Sequence, residues 1–403
     1  MRVALAVDHP VIDELLILQA LLEKDIDATV LYDPRSVTDG HDVIINRLLD
    51  RLNRLRLAQY AGVYGLNVFH PYSVEDFCRR KPLVKQVLVQ SGVSTAPYVI
   101  SRHLLRVSDG EVKGILLQEV ARTIEDEIGL PVVIKPTEAS RGKDILLIKS
   151  LDDLKFYKDR IGHPVTPDTP SVLYPNMTSP DGMLIEKYLP HALDLRVLVQ
   201  KIDDGIKYLG TLARVAEDEE RVAKNTALGS IPVGLDDVPE YIKQMAINSV
   251  RAMMAGIERV YQPSRSLLIG VDIIPSTEDV EARQEVYSGA SRLVDYKRGR
   301  IEDAKTELQR ILKGRLSSHK RNLLAVSQDE EFLRSVRYFD EVFGEFKSLP
   351  AYQSLQKVIQ QYLLGATSYV GELNPRVDFG TNTRNLSIPR LHYMIVDTAL
   401  LSV

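Results

Sequence analysis

Gly129-Leu-Pro-Val-Val-Ile-Lys-Pro-Thr-Glu-Ala-Ser-Arg-Gly-Lys143 is the segment from which the rest of the chain can be interpreted. Residues 130–134 form a short run rich in β-branched side chains, which predicts a buried strand. Lys135 is expected at the end of this strand, and Pro136 is expected to stop the ladder because it lacks a backbone N–H. A small, polar loop then leads to a second predicted strand at residues 144–148. A lysine beside such a loop suits the phosphates of a nucleotide, whereas the alternative is a surface hairpin with solvated lysines.

The composition is that of a globular protein. The 403 residues are enough for two or three domains, and 44% of them are hydrophobic. Fifty-one basic and 55 acidic residues give a net charge of −4, so bulk attraction to nucleic acid is not expected. Cys78 is the only cysteine, which excludes an intramolecular disulfide and a cysteine-built metal site. We expect it to be a buried structural residue in a reducing compartment.

The first 75 residues predict a small α/β domain. Strands are expected at residues 3–7, 28–32, 43–45 and 66–69, and helices at residues 12–22 and 55–61, with Gly65 ending the second helix. Strands that alternate with helices indicate a parallel sheet. The N-terminus shows no signal-peptide pattern, and no apolar run approaches about 18 residues. We therefore expect a cytoplasmic protein that does not contact a membrane.

Lys81 lies near the start of a predicted helix at residues 74–90, just ahead of the Lys135 hairpin. A lysine there can be a solvated charge or a second phosphate ligand. Further on, a predicted strand at residues 183–185 runs into Glu186, and the residues up to Leu189 could offer backbone groups to an adenine edge. Asp194 opens an alternating strand, with residues 207–214 as its expected antiparallel partner.

Asp272 is a single carboxylate inside the apolar run Gly270-Val-Asp-Ile-Ile274. A buried aspartate needs a cation or a hydrogen-bond network, because an unpaired buried charge is costly. Glu372 and Asn374 follow much later, two residues apart and therefore on one face of a strand. Brought together, these three oxygen donors would suit Mg²⁺ with open positions for phosphate. The alternative is three unrelated polar residues.

Taken together, these segments resemble the ATP-grasp superfamily of carboxylate–amine ligases, and within it the RimK/LysX-like branch. The motifs occur in that family's order: Arg80-Lys81, Val132-Val-Ile-Lys-Pro136, Ser140-Arg-Gly-Lys143, Glu186-Lys-Tyr-Leu189, Asp194-Leu-Arg196, Arg221 with Asn225 and Gly229, Gly270-Val-Asp272, and Glu372-Leu-Asn374. The ending Asn374-Pro-Arg-Val-Asp-Phe-Gly-Thr-Asn-Thr383 looks closest to LysX-like members. No single motif is specific; the resemblance depends on eight of them in register over nearly the whole chain outside one insert.

The resemblance implies a role for each matching residue. The residues that would bind ATP are Lys81 and Lys135 at the phosphates, Ser140, Gly142 and Lys143 in the phosphate lid, Glu186, Lys187 and Leu189 at the adenine, and Asp194 at the ribose. The metal ligands would be Asp272, Glu372 and Asn374, holding two Mg²⁺ ions for which Mn²⁺ can substitute. The residues facing the transferred phosphoryl group and the acyl intermediate would be Arg196, Arg214 and Asn225.

The implied architecture is an α/β (α+β) ATP-grasp fold. A pre-ATP-grasp domain with a parallel sheet would occupy residues 1–75, a central subdomain with the phosphate loop residues 76–182, and a C-terminal subdomain residues 183–403. A helical insert at about residues 275–366 would separate the two metal-bearing strands. Three apolar stripes with helical spacing in this insert predict a small local helical core.

Residues 297–321 of the insert contain nine Lys or Arg and three Asp or Glu. A solvated helix face explains this excess of positive charge. The sharper hypothesis is a docking surface, including Lys297, Arg298, Arg300 and Arg315, for an acidic peptide or carrier protein.

The predicted activity is ATP-dependent formation of an amide bond between a carboxylate substrate and an amine co-substrate, through an acyl-phosphate and with release of ADP. The carboxylate is expected on an amino acid, a peptide or a carrier protein, and the enzyme is expected to be a homo-oligomer. Two alternatives remain: a small-molecule kinase on the same scaffold, and a nucleotide-binding interaction module with little turnover.

Overall fold

The computed structural model describes residues 1–8, 10–101, 105–108, 111–115, 117–136, 145–154, 183–217, 229–258, 265–319, 321–375 and 390–401. The N-terminal part contains a four-stranded sheet made of β1 (Arg2–Ala6), β2 (Asp27–Leu31), β3 (Val43–Asn46) and β4 (Asn67–Phe69). The strand order is β2-β1-β3-β4 and every pairing is parallel, as predicted.

Alternate residues of β1 face opposite sides of this sheet, and a helix covers each side. Val3 and Leu5 pack with helix α1 (Ile12–Glu23), whereas Ala4 and Ala6 pack with helix α2 (Arg51–Tyr64). The parallel strands are therefore buried on both faces, which explains their nearly continuous apolar sequence. The prediction that Gly65 ends α2 is confirmed, since it adopts a left-handed φ of 65° there.

Two helices, α3 (Tyr72–Arg79) and α4 (Lys81–Gln90), replace the single helix predicted at residues 74–90, and that prediction is wrong. Arg80 separates them with a φ of −83° and a ψ of 78°. Pro82 explains the break, because its ring clashes with the carbonyl four residues earlier and it has no N–H to donate. Lys81 is consequently the first residue of α4.

The central part is built around the Lys135 segment. Its elements are β5 (Tyr98–Ser101), β6 (Leu105–Ser108), β7 (Glu111–Ile115), α5 (Leu117–Thr123), a π-helical turn (Ile124–Ile128), β8 (Val132–Pro136), β9 (Leu146–Ile148) and β10 (Met183–Lys187). Strands β6 and β7 pair with each other, and the other four form an antiparallel sheet in the order β5-β10-β8-β9. Pro136 pairs with Met183, so the β8 ladder ends one residue later than predicted.

A five-stranded antiparallel sheet forms most of the C-terminal part. Its strands are β11 (Leu193–Ile202), β12 (Gly205–Val215), β13 (Ile231–Leu235), β14 (Ser266–Ser276) and β15 (Thr367–Asn374), and the order is β13-β12-β11-β14-β15. The predicted antiparallel pairing of β11 with β12 is confirmed. Helix α6 (Glu240–Glu258) covers this sheet through contacts with β11, β12, β14 and β15.

The insert between β14 and β15 is helical, as predicted. Its elements are α7 (Val280–Tyr296), a π-helical turn (Lys297–Ile301), α8 (Glu302–Ser318), α9 (Leu323–Ser327), α10 (Glu330–Ser348) and α11 (Pro350–Gly365). The three predicted apolar stripes are largely buried. The last described helix, α12 (Leu391–Leu400), contacts α1 and β14.

The insert does not form a separate local core, so that expectation is wrong. Its buried side chains belong to one continuous cluster with those of the five-stranded sheet. The backbone N–H of Gly234 on β13 donates to the Tyr352 hydroxyl at 2.7 Å. The Tyr362 hydroxyl donates to the carbonyl of Pro275 on β14 at 2.9 Å. A sheet buries its apolar faces only against another layer, and here the insert contributes to that layer.

The described part of residues 297–321 is mostly ion-paired within the chain. Lys297 is buried, and its ammonium donates to the carbonyl of Gly229 at 2.6 Å. Arg298 contacts Glu217 at 2.5 Å, Arg300 contacts Glu345 at 3.0 Å, and Arg315 pairs with Glu331. Lys297 therefore has a structural role, and the docking hypothesis loses one of its four residues.

No helix among the described residues combines the length and the apolar character needed to cross a membrane.

Candidate active site

Asp272 and Glu372 lie directly opposite each other on the paired strands β14 and β15. The register shifts between Asp272 and Ile273, because Gly371 is an extra residue that no β14 residue opposes. The Asn374 amide nitrogen is 3.1 Å from an Asp272 carboxylate oxygen and 3.4 Å from a Glu372 carboxylate oxygen. The structure thus brings the three predicted metal ligands together on one face of the sheet.

Two arginines hold the Asp272 carboxylate, one from the neighbouring strand β11 and one from β12, the next strand in the sheet. Arg196 donates to both carboxylate oxygens, from Nε at 2.8 Å and from Nη2 at 2.9 Å. Arg214 approaches one of these oxygens at 3.2 Å. Burial alone would raise the pKa of Asp272, but Arg196 and Arg214 outweigh it and hold that pKa well below its usual range. Asp272 is therefore a buried carboxylate that stays ionised.

Gly270 makes room for this arrangement. It lies two residues before Asp272 on the same face of β14, and a Cβ at this position would be 3.3 Å from Cδ of Arg196. The aliphatic part of the Arg196 side chain thus crosses β14 at Gly270, where there is no side chain. This close approach explains the glycine at position 270, which the sequence alone did not explain.

Asp194 extends the charged network along β11. It is the cross-strand partner of Arg214, whose guanidinium is 3.7 Å from the Asp194 carboxylate. His191 lies 3.3 Å from the other carboxylate oxygen through Nε2, and its Nδ1 is 2.5 Å from the carbonyl of Leu189. Burial would raise the pKa of Asp194, but His191 and Arg214 lower it below its usual range.

A second group of charges surrounds Glu186 on β10. Lys135 forms an ion pair with one Glu186 carboxylate oxygen, and Lys85 on α4 lies 2.8 Å from the other. Burial would raise the pKa of Glu186, but the two lysines outweigh it and lower that pKa to about 2. The Glu186 side chain is therefore an ionised bridge between two lysines.

Lys81 connects the two groups of charges. Burial lowers the pKa of Lys81, the Glu372 carboxylate raises it, and the Lys135 ammonium lowers it further. These opposing effects arise because Lys81 lies close enough to interact with both charges. Lysines from α4 and β8 and oxygen donors from β14 and β15 therefore converge on one region.

The predicted adenine segment is tied to neighbouring backbone. The Lys187 ammonium donates to the carbonyls of Leu130 at 2.7 Å and Gly129 at 3.2 Å. The backbone N–H groups of Lys187 and Tyr188 donate to the carbonyls of Pro97 and Pro131 at 2.8 and 3.0 Å. These groups are engaged within the protein, so an adenine role for this segment stays a prediction.

Several predicted site residues lie outside the described part of the chain. They are Ser140, Gly142 and Lys143 of the predicted phosphate loop, and Asn225, which follows β12 in the sequence. Their roles stay predictions. The described residues contain no group of three or more His, Cys, Asp or Glu side chains able to hold a metal, so a site at Asp272 and Glu372 relies on Asn374 as well.

Two residues of the charged network were not predicted from the sequence. Lys85 follows Lys81 by four residues on one helix, which places both on the same side of α4. His191 precedes Asp194 by three residues. A charged side chain inside the apolar pattern of α4 was the available signal for Lys85.

The sequence matches no protein-family model and no curated protein. Among solved structures, it is similar to a carboxyaminoimidazole ribonucleotide synthase from Aspergillus clavatus complexed with ATP, at 16% identity and a TM-score of 0.44, covering 68% of this chain and 67% of that one. An L-amino acid ligase from Bacillus licheniformis shows 11% identity and a TM-score of 0.44, covering 69% and 64%. A RimK domain ATP-grasp protein from Sphaerobacter thermophilus shows 14% identity and a TM-score of 0.44, covering 69% and 87%. At these values the similarity assigns no substrate or activity to this chain.

Proposed function

We propose that this chain is an ATP-grasp ligase of the RimK/LysX-like type, which joins a carboxylate to an amine with conversion of ATP to ADP and phosphate. The observation that carries the proposal is the convergence of Lys81 and Lys135 with Asp272, Glu372 and Asn374. Cations that neutralise phosphates and hard oxygen donors that hold a divalent metal are the two requirements of phosphoryl transfer.

Lys135 and Lys81 would bind the ATP phosphates. The Lys135 side chain keeps 14% of its surface exposed, whereas its ion-pair partner Glu186 keeps 6%. The lysine is therefore the member of the pair that an incoming phosphate can reach. Ser140, Gly142 and Lys143 would add backbone N–H groups and a charge from the phosphate loop, and Asp194 would bind the ribose.

Asp272, Glu372 and Asn374 fit a divalent cation by their chemistry, because carboxylate and amide oxygens are ligands that Mg²⁺ prefers. Both oxygens of Asp272 already accept hydrogen bonds from Arg196, so a cation would share Asp272 with that arginine or displace it. When bound, Mg²⁺ would neutralise charge on the phosphates. The negative charge of ATP would in turn attract the guanidinium groups of Arg196 and Arg214.

The chemistry that follows needs positioning more than a nucleophilic side chain. The substrate carboxylate oxygen attacks the γ-phosphorus of ATP, the bond to the bridging oxygen breaks, and ADP leaves. The amine then attacks the acyl carbon of the acyl-phosphate, phosphate leaves and the amine loses a proton. Arg196 and Arg214, together with Asn225, would stabilise the negative charge that develops on the acyl oxygen.

The carboxylate substrate would be an amino acid, a peptide or a carrier protein. The experiment that tests the proposal is incubation of the protein with ATP, Mg²⁺, candidate acids and hydroxylamine. An ATP-dependent acyl hydroxamate is the expected result, because hydroxylamine intercepts an acyl-phosphate. A phosphorylated product without hydroxamate would instead indicate a kinase. ATP binding without turnover across a broad panel of acids would indicate an interaction module.

A further inference from the structure

Lys85 is a buried cation that none of the steps above uses. Its side chain is 2% exposed, and its ammonium lies 2.8 Å from one oxygen of Glu186. The same ammonium donates to the backbone carbonyl of Val370 at 3.3 Å. Lys85 on α4 therefore contacts β10 through Glu186 and β15 through Val370, two residues before the predicted metal ligand Glu372.

The two lysines around Glu186 differ in what they can reach. Lys135 is 14% exposed and occupies the second carboxylate oxygen of Glu186, whereas Lys85 is enclosed. A bound nucleotide could therefore meet Lys135 and not Lys85. Burial lowers the pKa of Lys85, and Glu186 acts against that decrease, so the charge of each buried group depends on the other.

We infer that Lys85 is a positioning residue that neutralises Glu186 and thereby leaves Lys135 free to bind a phosphate. This inference rests on the proposed function. Without Lys85, the buried Glu186 carboxylate would be neutralised by its ion pair with Lys135 and by the electrostatic attraction of Lys81. A phosphate would then have to compete with that carboxylate for Lys135. The three groups carry a net charge of +1 with Lys85 and of zero without it.

The test is binding of a non-hydrolysable ATP analogue with Mg²⁺, measured by isothermal titration calorimetry. Lys85→Met is expected to raise the Kd at least tenfold. The double variant Lys85→Met with Glu186→Gln is expected to return the Kd to within threefold of the wild type. The Glu186 carboxylate then no longer retains Lys135, and the side-chain substitution keeps the backbone groups that the predicted adenine role would use. A role in packing alone predicts no such recovery, since Glu186→Gln restores neither the volume of Lys85 nor its bond to Val370.

Lys201→Met is the matched control. Lys201 is a buried lysine at the far end of β11 that donates to the carbonyl of Asp203 at 2.6 Å, and its loss should change the Kd less than twofold. If Lys85→Met fails to fold, Lys85→Gln carries the same test, because the amide keeps a hydrogen-bond donor but no charge.

The outcomes separate this inference from the proposed function. An unchanged Kd in the Lys85 variant, or a double variant as weak as the single one, overturns the positioning role while the proposed function stands. A wild-type protein that does not bind the analogue overturns the proposed function, and the role of Lys85 with it.

Discussion

Arg196 donates two hydrogen bonds, of 2.8 and 2.9 Å, to the carboxylate of Asp272, its cross-strand partner in the strand pair β11–β14. A guanidinium and a carboxylate are matched in shape for this two-point contact. The pair gives Asp272 a fixed orientation opposite Glu372 and leaves the arginine close to any phosphate that binds there. This contact joins two strands of the sheet, and under the proposed function it would also orient both residues for phosphoryl transfer.

Asp272→Asn should affect stability and activity together. The amide cannot accept from both Arg196 nitrogens, so a buried cation loses part of its partner, and we expect a loss of about 1–3 kcal/mol in the free energy of unfolding. Hydroxamate formation should fall at least about 100-fold, because charge stabilisation at the reacting phosphate is lost. Urea denaturation and the hydroxamate assay measure the two effects.

Asp237→Asn is the control for that variant. Asp237 is 73% exposed and pairs with Lys243, so its substitution should change stability by less than about 0.5 kcal/mol. Equal effects of the two substitutions would contradict the assignment of Asp272.

Lys135→Met should weaken ATP binding while the fold persists. The fold should persist because Lys85 remains to neutralise Glu186. The variant loses a charge-assisted hydrogen bond to phosphate worth about 1.5–3 kcal/mol, which corresponds to roughly a 10–100-fold increase in Kd. Lys149→Met, which removes an exposed lysine just after β9, should leave the Kd unchanged. Calorimetric titration with an ATP analogue distinguishes them, and a normal Kd for Lys135→Met would rule out Lys135 as a phosphate ligand.

Tyr362→Phe should destabilise the attachment of the insert to the sheet. The hydroxyl donates to the carbonyl of Pro275 at 2.9 Å and accepts from the N–H of Ala192 at 3.3 Å. Removing it leaves two buried backbone groups without this partner, at a cost of about 1–3 kcal/mol. Tyr338→Phe, at a 43% exposed position on α10, should change the free energy of unfolding only slightly. Urea denaturation that shows equal midpoints for the two variants would refute this role of Tyr362.

His70 should make the protein less stable as the pH falls below neutral. Burial, reinforced by Arg47, lowers the pKa of His70 to about 3 in the folded protein. The unfolded chain binds this proton below a pH of about 6.5, so the stability is present above that pH and is lost as the pH falls toward the folded pKa. His70→Gln removes the linkage, and between pH 6.5 and 5 the wild type should lose about 2 kcal/mol more than the variant. Parallel stability–pH curves would contradict this account.

The strands were predictable because their composition and periodicity are local properties. The runs around Val3 and Val132 are apolar and β-branched. Gly65 ends a helix because glycine readily adopts the left-handed conformation, which depends on that residue alone. The break at Arg80 was missed, although Pro82 gave the signal, because the apolar pattern continues across it. Helix boundaries of this kind depend on a steric clash rather than on periodicity.

The residues of the candidate site were predictable from the sequence, but the contacts between them were not. The spacing of Glu372 and Asn374 placed them on one face of a strand, but no local pattern shows that Asp272 lies opposite Glu372 on the paired strand. Lys85 was missed because a lysine in a helix is usually interpreted as solvated. Its burial depends on the contact with Glu186, which lies on strand β10, about a hundred residues later in the sequence.

We expect the insert to influence the order in which parts of the molecule fold. Strands β14 and β15 pair as neighbours, beginning with Ser276 opposite Thr367, although residues 277–366 lie between them. Closing a connection of roughly ninety residues instead of six costs about 2 kcal/mol more in chain entropy, unless the intervening helices form first. We therefore expect α7 to α11 to fold early and Asp272 to meet Glu372 late, so that pulse-labelling hydrogen exchange would protect the amides of β15 among the last.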